Sequence, residues 1–132
     1  MIIHSKITGE VLHIVHRLNE FSEGRTDIVP PSAFIQCAAI NLYNGQTFKA
    51  HKHIEQEKIT TIAQESWCIV KGRVMAMFYD LDDTLIVNVE LCAGDASITL
   101  KGGHNYQALE PSLVYEYKTG PYLGQELDKV FI

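Results

Sequence analysis

Short apolar runs separated by turn-forming residues are the feature of this sequence that most restricts its fold. Turn signals recur roughly every eight to twelve residues, and no long stretch has helical periodicity. This spacing is typical of sandwiches and barrels built from antiparallel sheets, so the sequence predicts an all-β protein. The predicted strands are Val11–Leu18, Phe34–Tyr43, Trp67–Val70, Val74–Tyr79, Leu85–Leu91, Ala96–Leu100 and Leu113–Lys118.

The turns between these runs carry their own predictions. Asn44-Gly45 is a strong turn signal and leads into Gln46–His53, which we predict to be a strand. Gly72 predicts a hairpin between two strands. The polar stretch Glu20–Pro31 ends in two prolines and predicts a loop, and the acidic stretch Asp80–Thr84 predicts a solvated turn.

Length and composition indicate one soluble domain. The chain has 132 residues, 46% of them hydrophobic and 20% charged, which suits a single globular core. The net charge is -5 and no basic run is present, so neither nucleic acid nor an anionic membrane is an expected partner. Three cysteines without close pairing predict reduced core thiols, and we expect a cytoplasmic protein.

The strongest chemical signal is the pair His51 and His53. Residues two apart on a strand point to the same face, so both imidazoles could bind one metal ion or one substrate. On a helix the same two side chains would point apart. Without a metal, either residue could act as a general acid or base, because imidazole titrates near neutral pH.

The surrounding residues resemble the two motifs of the cupin superfamily. Gly45, His51 and His53 match the start of the first motif, and Glu65 keeps the expected spacing to Gly72. The second motif is matched by the stretch from Gly94-Asp95 to Gly102-Gly103-His104. This resemblance covers about Gly45 to Lys118 and implies a cupin barrel, a jelly roll of two packed antiparallel sheets.

The resemblance also implies a metal site. In cupins the matching residues meet inside the barrel, and here they are His51, His53, Glu65 and His104. Imidazole and carboxylate ligands suit Fe, Mn, Ni, Zn or Cu as the divalent ion. A narrower similarity, in the segments WCIVKGRV, FYDLDD and YEYKTGPYLGQELDK, is to the small WbuC-type cupins, which are associated with sugar and surface-polysaccharide assembly.

The sequence departs from the first motif between its histidines and its glutamate. Residues 54–64 separate His53 from Glu65, a longer gap than the motif has. This insertion could supply Glu55 or Glu57 as a substitute carboxylate, or it could form a lid. We expect Glu65 to be the ligand because its spacing to Gly72 is kept.

Other residues are weaker candidates. Trp67 shares strand parity with Glu65, and Tyr106 shares it with His104, so both are candidate substrate-binding residues. Core packing is the more ordinary role for each of them. His13 and His16 lie on opposite faces of the first strand and are expected to be structural or interfacial.

These observations lead to one domain over residues 1–132, with an N-terminal strand arm at about 1–18, a cupin core at about 32–118 and a tail at 119–132. The arm is expected to pair with a second subunit, which predicts a homodimer.

Three functions stay open. The first is a metal-binding cupin that acts on a sugar or similar small polar molecule, as an isomerase or epimerase. The second is a metal-free enzyme resembling nucleotide-sugar ketoisomerases, with His51 and His53 as acid and base. The third is a non-catalytic module that binds a sugar or a metal.

Overall fold

The computed structural model describes all 132 residues and consists almost entirely of β-structure. One 3-10 helix (Leu18–Glu20) and one short α-helix, α1 (Gln125–Asp128), are the helical elements. The strands are β1 (Ile2–His4), β2 (Val11–His16), β3 (Gly24–Asp27), β4 (Ala38–Asn41), β5 (Glu65–Lys71), β6 (Arg73–Tyr79), β7 (Leu85–Cys92), β8 (Ala96–Thr99), β9 (His104–Ala108) and β10 (Leu113–Lys118). The prediction of an all-β chain is confirmed.

The strands form three antiparallel sheets. The largest has the order β1-β2-β8-β5-β10, the second has the order β7-β6-β9, and β3 pairs with β4 alone. All pairings are antiparallel. None of the sheets closes on itself, because each order ends in two strands with a free edge.

Two apolar clusters hold the layers together. The larger one fills the space between the five-stranded and three-stranded sheets, where Val15 and Ile69 meet Ala76, Phe78 and Leu91. Phe78 and Leu91 are completely buried, so this interface is the main core. The opposite face of the large sheet is covered by a second cluster made of Ile14, Val29, Ile35, Ile98 and Leu100.

The segment between β4 and β5 does not form the strand that the sequence predicts. A turn occurs at Asn44-Gly45, but residues 46–53 that follow it pair with no strand. These residues are exposed, and so are nearly all residues up to Ala63. The prediction of a strand at Gln46–His53 is therefore wrong for this structure, because a strand needs a hydrogen-bonded neighbour and none is in place.

Gly72 turns the chain, but not into a hairpin. It has a φ of 86°, which glycine adopts at little cost, and a Cβ there would collide with Ser112. Strand β5, before it, lies in the large sheet, and β6, after it, lies in the three-stranded sheet. The predicted hairpin is replaced by a crossing from one sheet to the other.

Two further predictions need correction. The predicted loop Glu20–Pro31 contains β3, which pairs with β4. Asp80 is not solvated but 1% exposed, and its carboxylate accepts hydrogen bonds from the Ser5 hydroxyl and the Lys6 N–H. Asp80 therefore ties the turn after β1 to the end of β6.

The N-terminal arm folds onto its own chain. Strand β1 turns back after Ser5 and pairs with β2, which in turn pairs with β8. Strand β1 is an outermost strand of the large sheet and has one free edge. Pairing with a second subunit at this edge stays a prediction.

Candidate functional site

A row of polar side chains crosses the inner face of the large sheet. His13 on β2 is opposite Thr99 on β8, Thr99 is opposite Glu65 on β5, and Glu65 is opposite Lys118 on β10. Directly opposed residues in antiparallel strands point to the same face. The ring of His13 packs against Phe78 of the facing sheet at 4.6 Å between centroids, so this face is the inner one.

Glu65 and His104 join the two sheets at this row. Oε1 of Glu65 lies 3.1 Å from Nε2 of His104, which begins β9 on the opposite sheet. A carboxylate oxygen can only accept when it is ionised, so Nε2 donates in this pair. Nδ1, the other ring nitrogen of His104, is buried and has no hydrogen-bond partner.

The carboxylate of Glu65 is held in its ionised form. Burial alone would raise its pKa, but the hydrogen bond from His104 and the N–H of Trp67 outweigh burial, so the pKa lies below its usual value. Lys129 adds a smaller effect in the same direction. Glu65 is therefore available at neutral pH as an anionic ligand or a base.

Trp67 and Tyr106 form the wall next to this pair. Their rings are stacked, with 3.9 Å between centroids and 9° between planes. The Tyr106 hydroxyl is 2.9 Å from the Ser97 hydroxyl, and burial raises the pKa of Tyr106 well above its usual value. Each ring thus covers a face of the other, and the prediction that these residues contact a substrate stays a prediction.

His13 is a site neighbour that sequence reasoning did not identify. Its Nε2 donates to the Tyr79 carbonyl oxygen at 3.1 Å, which leaves Nδ1 to accept from the Thr99 hydroxyl at 3.1 Å. The residue is fully buried, and burial lowers its pKa to about 4. It is neutral at pH 7. The sequence shows the face of the first strand on which His13 lies. It does not show that this strand, β2, pairs with β8 and so places His13 opposite Thr99.

The C-terminal tail also reaches the site. Nζ of Lys118 is 3.0 Å from Oδ2 of Asp128 and lies 4.0 Å from the centroid of the Tyr122 ring. Farther along, Ile132 lies so close to Gly103, the residue before His104, that a Cβ on Gly103 would be 2.4 Å from Cδ1 of Ile132. The tail therefore covers the end of the sandwich that holds Glu65 and His104.

His51 and His53 are not assembled with this pair. They lie in the exposed segment before β5, with their rings 5.6 Å apart, and Nδ1 of His51 bonds the Lys49 carbonyl oxygen at 2.9 Å. No three side chains of the metal-ligating types are gathered anywhere in the chain. Of the four residues expected to form a metal site, the structure brings together Glu65 and His104 and leaves the two motif-one histidines outside.

Comparisons with protein-family models, with curated proteins and with solved structures found no match. None of the helices in the structure is long and apolar enough to cross a membrane.

Proposed function

We propose that this chain is a metal-binding cupin that acts on a sugar or a related small polar molecule, with Glu65 and His104 as two of its metal ligands. The single observation that carries the proposal is the contact between these two side chains. They come from different sheets and meet at 3.1 Å at one end of the sandwich.

The spacing of the pair suits adjacent ligands of one ion. Two donors at about 2.1 Å from an octahedral ion, at right angles, are about 3.0 Å apart. The ion would replace the proton that Nε2 of His104 now shares with Oε1 of Glu65.

The remaining ligands would come from the segment before β5. Strand β9 pairs with β6 along one edge, and its other edge is free. Residues 46–53 have a β pattern but no neighbour. If this segment pairs with the free edge of β9, His51 and His53 share one face and can lie beside His104. We propose that metal binding drives this docking, because the metal supplies the free energy that orders a ligand-bearing segment.

The chemistry proposed for this site is isomerisation or epimerisation through proton abstraction next to a carbonyl. A bound divalent ion would polarise the carbonyl. The side chains that hold the ion would use their lone pairs as ligands, so His51 and His53 could move the proton only in the metal-free alternative. The stacked pair of Trp67 and Tyr106 forms an aromatic wall beside Glu65 and His104.

Metal content tests the proposal. Purified protein is incubated in turn with Mn(II), Fe(II), Ni(II), Zn(II) and Cu(II), desalted and analysed for bound metal. We expect about one ion per chain, and less than about a tenth of that in His104→Ala and in His51→Ala/His53→Ala. His16→Ala, which alters a histidine on the opposite face of β2, is the matched control. Equal metal in the wild type and in His104→Ala would refute the assignment.

A second function is suggested by the exposed pair of His51 and His53, whose rings lie 5.6 Å apart. It is a metal-free enzyme that resembles the nucleotide-sugar ketoisomerases, with His51 and His53 as acid and base. No metal uptake together with thermal stabilisation by dTDP-sugars would support it. Sugar binding without turnover by any form of the protein would instead identify a non-catalytic binding module.

A further inference from the structure

The side chain of Trp67 contacts the carboxylate that carries the proposed function. Its Nε1 donates to Oε1 of Glu65 at 2.8 Å. This is the same oxygen atom that lies 3.1 Å from Nε2 of His104. One carboxylate oxygen thus accepts from both donors, and both contacts hold it between the two sheets.

Trp67 is itself held in place by a chain of contacts. Its ring stacks on Tyr106 with only 9° between the two planes, and the Tyr106 hydroxyl is bonded to Ser97 at 2.9 Å. Ser97 is completely buried and lies directly opposite Trp67 in the sheet. The indole can therefore rotate little, and its N–H keeps a fixed direction.

We propose that Trp67 is a positioning residue that fixes the Glu65 carboxylate so that Oε1 faces His104. This inference rests on the proposed metal site. The Glu65 side chain has three rotatable bonds, and without the N–H its carboxylate could turn away from His104. The hydrogen bond fixes the ligand before the ion arrives, as groups bonded to metal ligands do.

The sharpest test is Trp67→Phe, which keeps an aromatic ring for the stack on Tyr106 and removes the N–H. We expect its dissociation constant for Mn(II) or Ni(II) to rise about 10- to 100-fold. Tyr115→Phe is the matched control, because it also removes one polar group from an aromatic side chain, and this side chain is exposed and bonds neither Glu65 nor the indole N–H. Its dissociation constant should stay within about twofold of the wild type.

A spectroscopic measurement separates positioning from folding. Trp67 is the only tryptophan, so its indole N–H gives one signal in a proton–nitrogen correlation spectrum. We expect this signal to move when the wild type is saturated with Zn(II), and to move in metal-free Glu65→Gln. This measurement needs no Trp67 variant and stands if Trp67→Phe fails to fold.

The outcomes are distinct. A wild type that takes up none of the ions overturns the proposed function. A wild type that binds metal while folded Trp67→Phe binds it equally well overturns only the positioning role. Two other results would also overturn that role: an indole signal that does not move when the protein is saturated with Zn(II), or a Tyr115→Phe variant that weakens metal binding as much as Trp67→Phe.

Discussion

The buried imidazole of His13 makes the stability of this fold depend on pH. In the folded chain burial lowers the pKa of His13 to about 4, against 6.5 for an unburied histidine. Between these two values the unfolded chain binds a proton that the folded chain does not bind. The free energy of unfolding therefore rises with pH in this range. The contribution is fully present above about pH 6.5 and is lost as the pH falls towards 4.

The size of the effect follows from the two pKa values. Integration of the proton linkage from about pH 7.5 to about pH 4.5 gives a loss of about 2.5 kcal/mol from His13 alone. Domains of this size have unfolding free energies of about 5–15 kcal/mol, so such a loss is readily measured. His13→Gln removes the titrating group and keeps a side chain that can donate and accept hydrogen bonds.

The assay is urea unfolding of both proteins at the two pH values. His13→Gln is expected to be less stable than the wild type at pH 7.5, and this difference should shrink by about 2.5 kcal/mol at pH 4.5. Carboxylates with lowered pKa values, such as Asp95, lose stability in acid in both proteins and cancel in the comparison. Val15→Ala, a buried change on the same strand, should cost the same at both pH values. If His13→Gln shows the wild-type dependence on pH, the imidazole is not held neutral by burial.

Three other substitutions test the fold. Phe78→Ala leaves a cavity at the centre of the main core and should lower the free energy of unfolding by about 3–5 kcal/mol in urea titrations. A loss below about 1 kcal/mol would contradict the packing of Phe78 between the two sheets. Gly102→Ala should lower the free energy of unfolding by about 1–3 kcal/mol and lower the melting temperature. The reason is that φ is 77° and the new Cβ would be 2.5 Å from the Tyr79 carbonyl oxygen. An unchanged melting temperature would argue against this turn. Asp95→Asn should cost about 2–4 kcal/mol at pH 7 because the carboxylate accepts from the Arg17 guanidinium and two backbone N–H groups. Burial alone would raise the pKa of Asp95, but these bonds hold it below its usual value. The cost of Asp95→Asn should therefore diminish in melts at low pH, and a cost independent of pH would contradict that role.

Local chemistry in the sequence predicted the positions of most strands and turns. Gly45 and Gly72 both have a positive φ, and each lies at a turn that the sequence indicated. The alternation of Glu65 and Trp67 correctly placed both side chains on one face, where they bond each other. Such features depend on neighbours along the chain, and the sequence reports these directly.

Pairing between distant strands was not predictable in the same way. A period of two does not reveal which strand lies beside another, so the sequence predicts a hairpin at Gly72 where the chain crosses between two sheets. For the same reason His13 was not connected with Glu65, although Thr99 lies directly between them. Likewise, the pattern at His51 and His53 gives their shared face but not the strand they would pair with.

Glu65 and His104 differ from the rest of the core, because they place a carboxylate and an imidazole between the two apolar sheets. Burying an ionised carboxylate costs free energy that hydrogen bonds only partly return, and apolar side chains of similar size commonly serve stability equally well. Glu65 nevertheless lies inside, with two donors on one of its oxygens, next to a histidine that has an unpartnered ring nitrogen. An unsatisfied buried polar atom is costly unless a ligand or solvent completes it. The unpartnered Nδ1 of His104 is therefore the point of this pair at which a bound ligand or solvent would complete the hydrogen bonding.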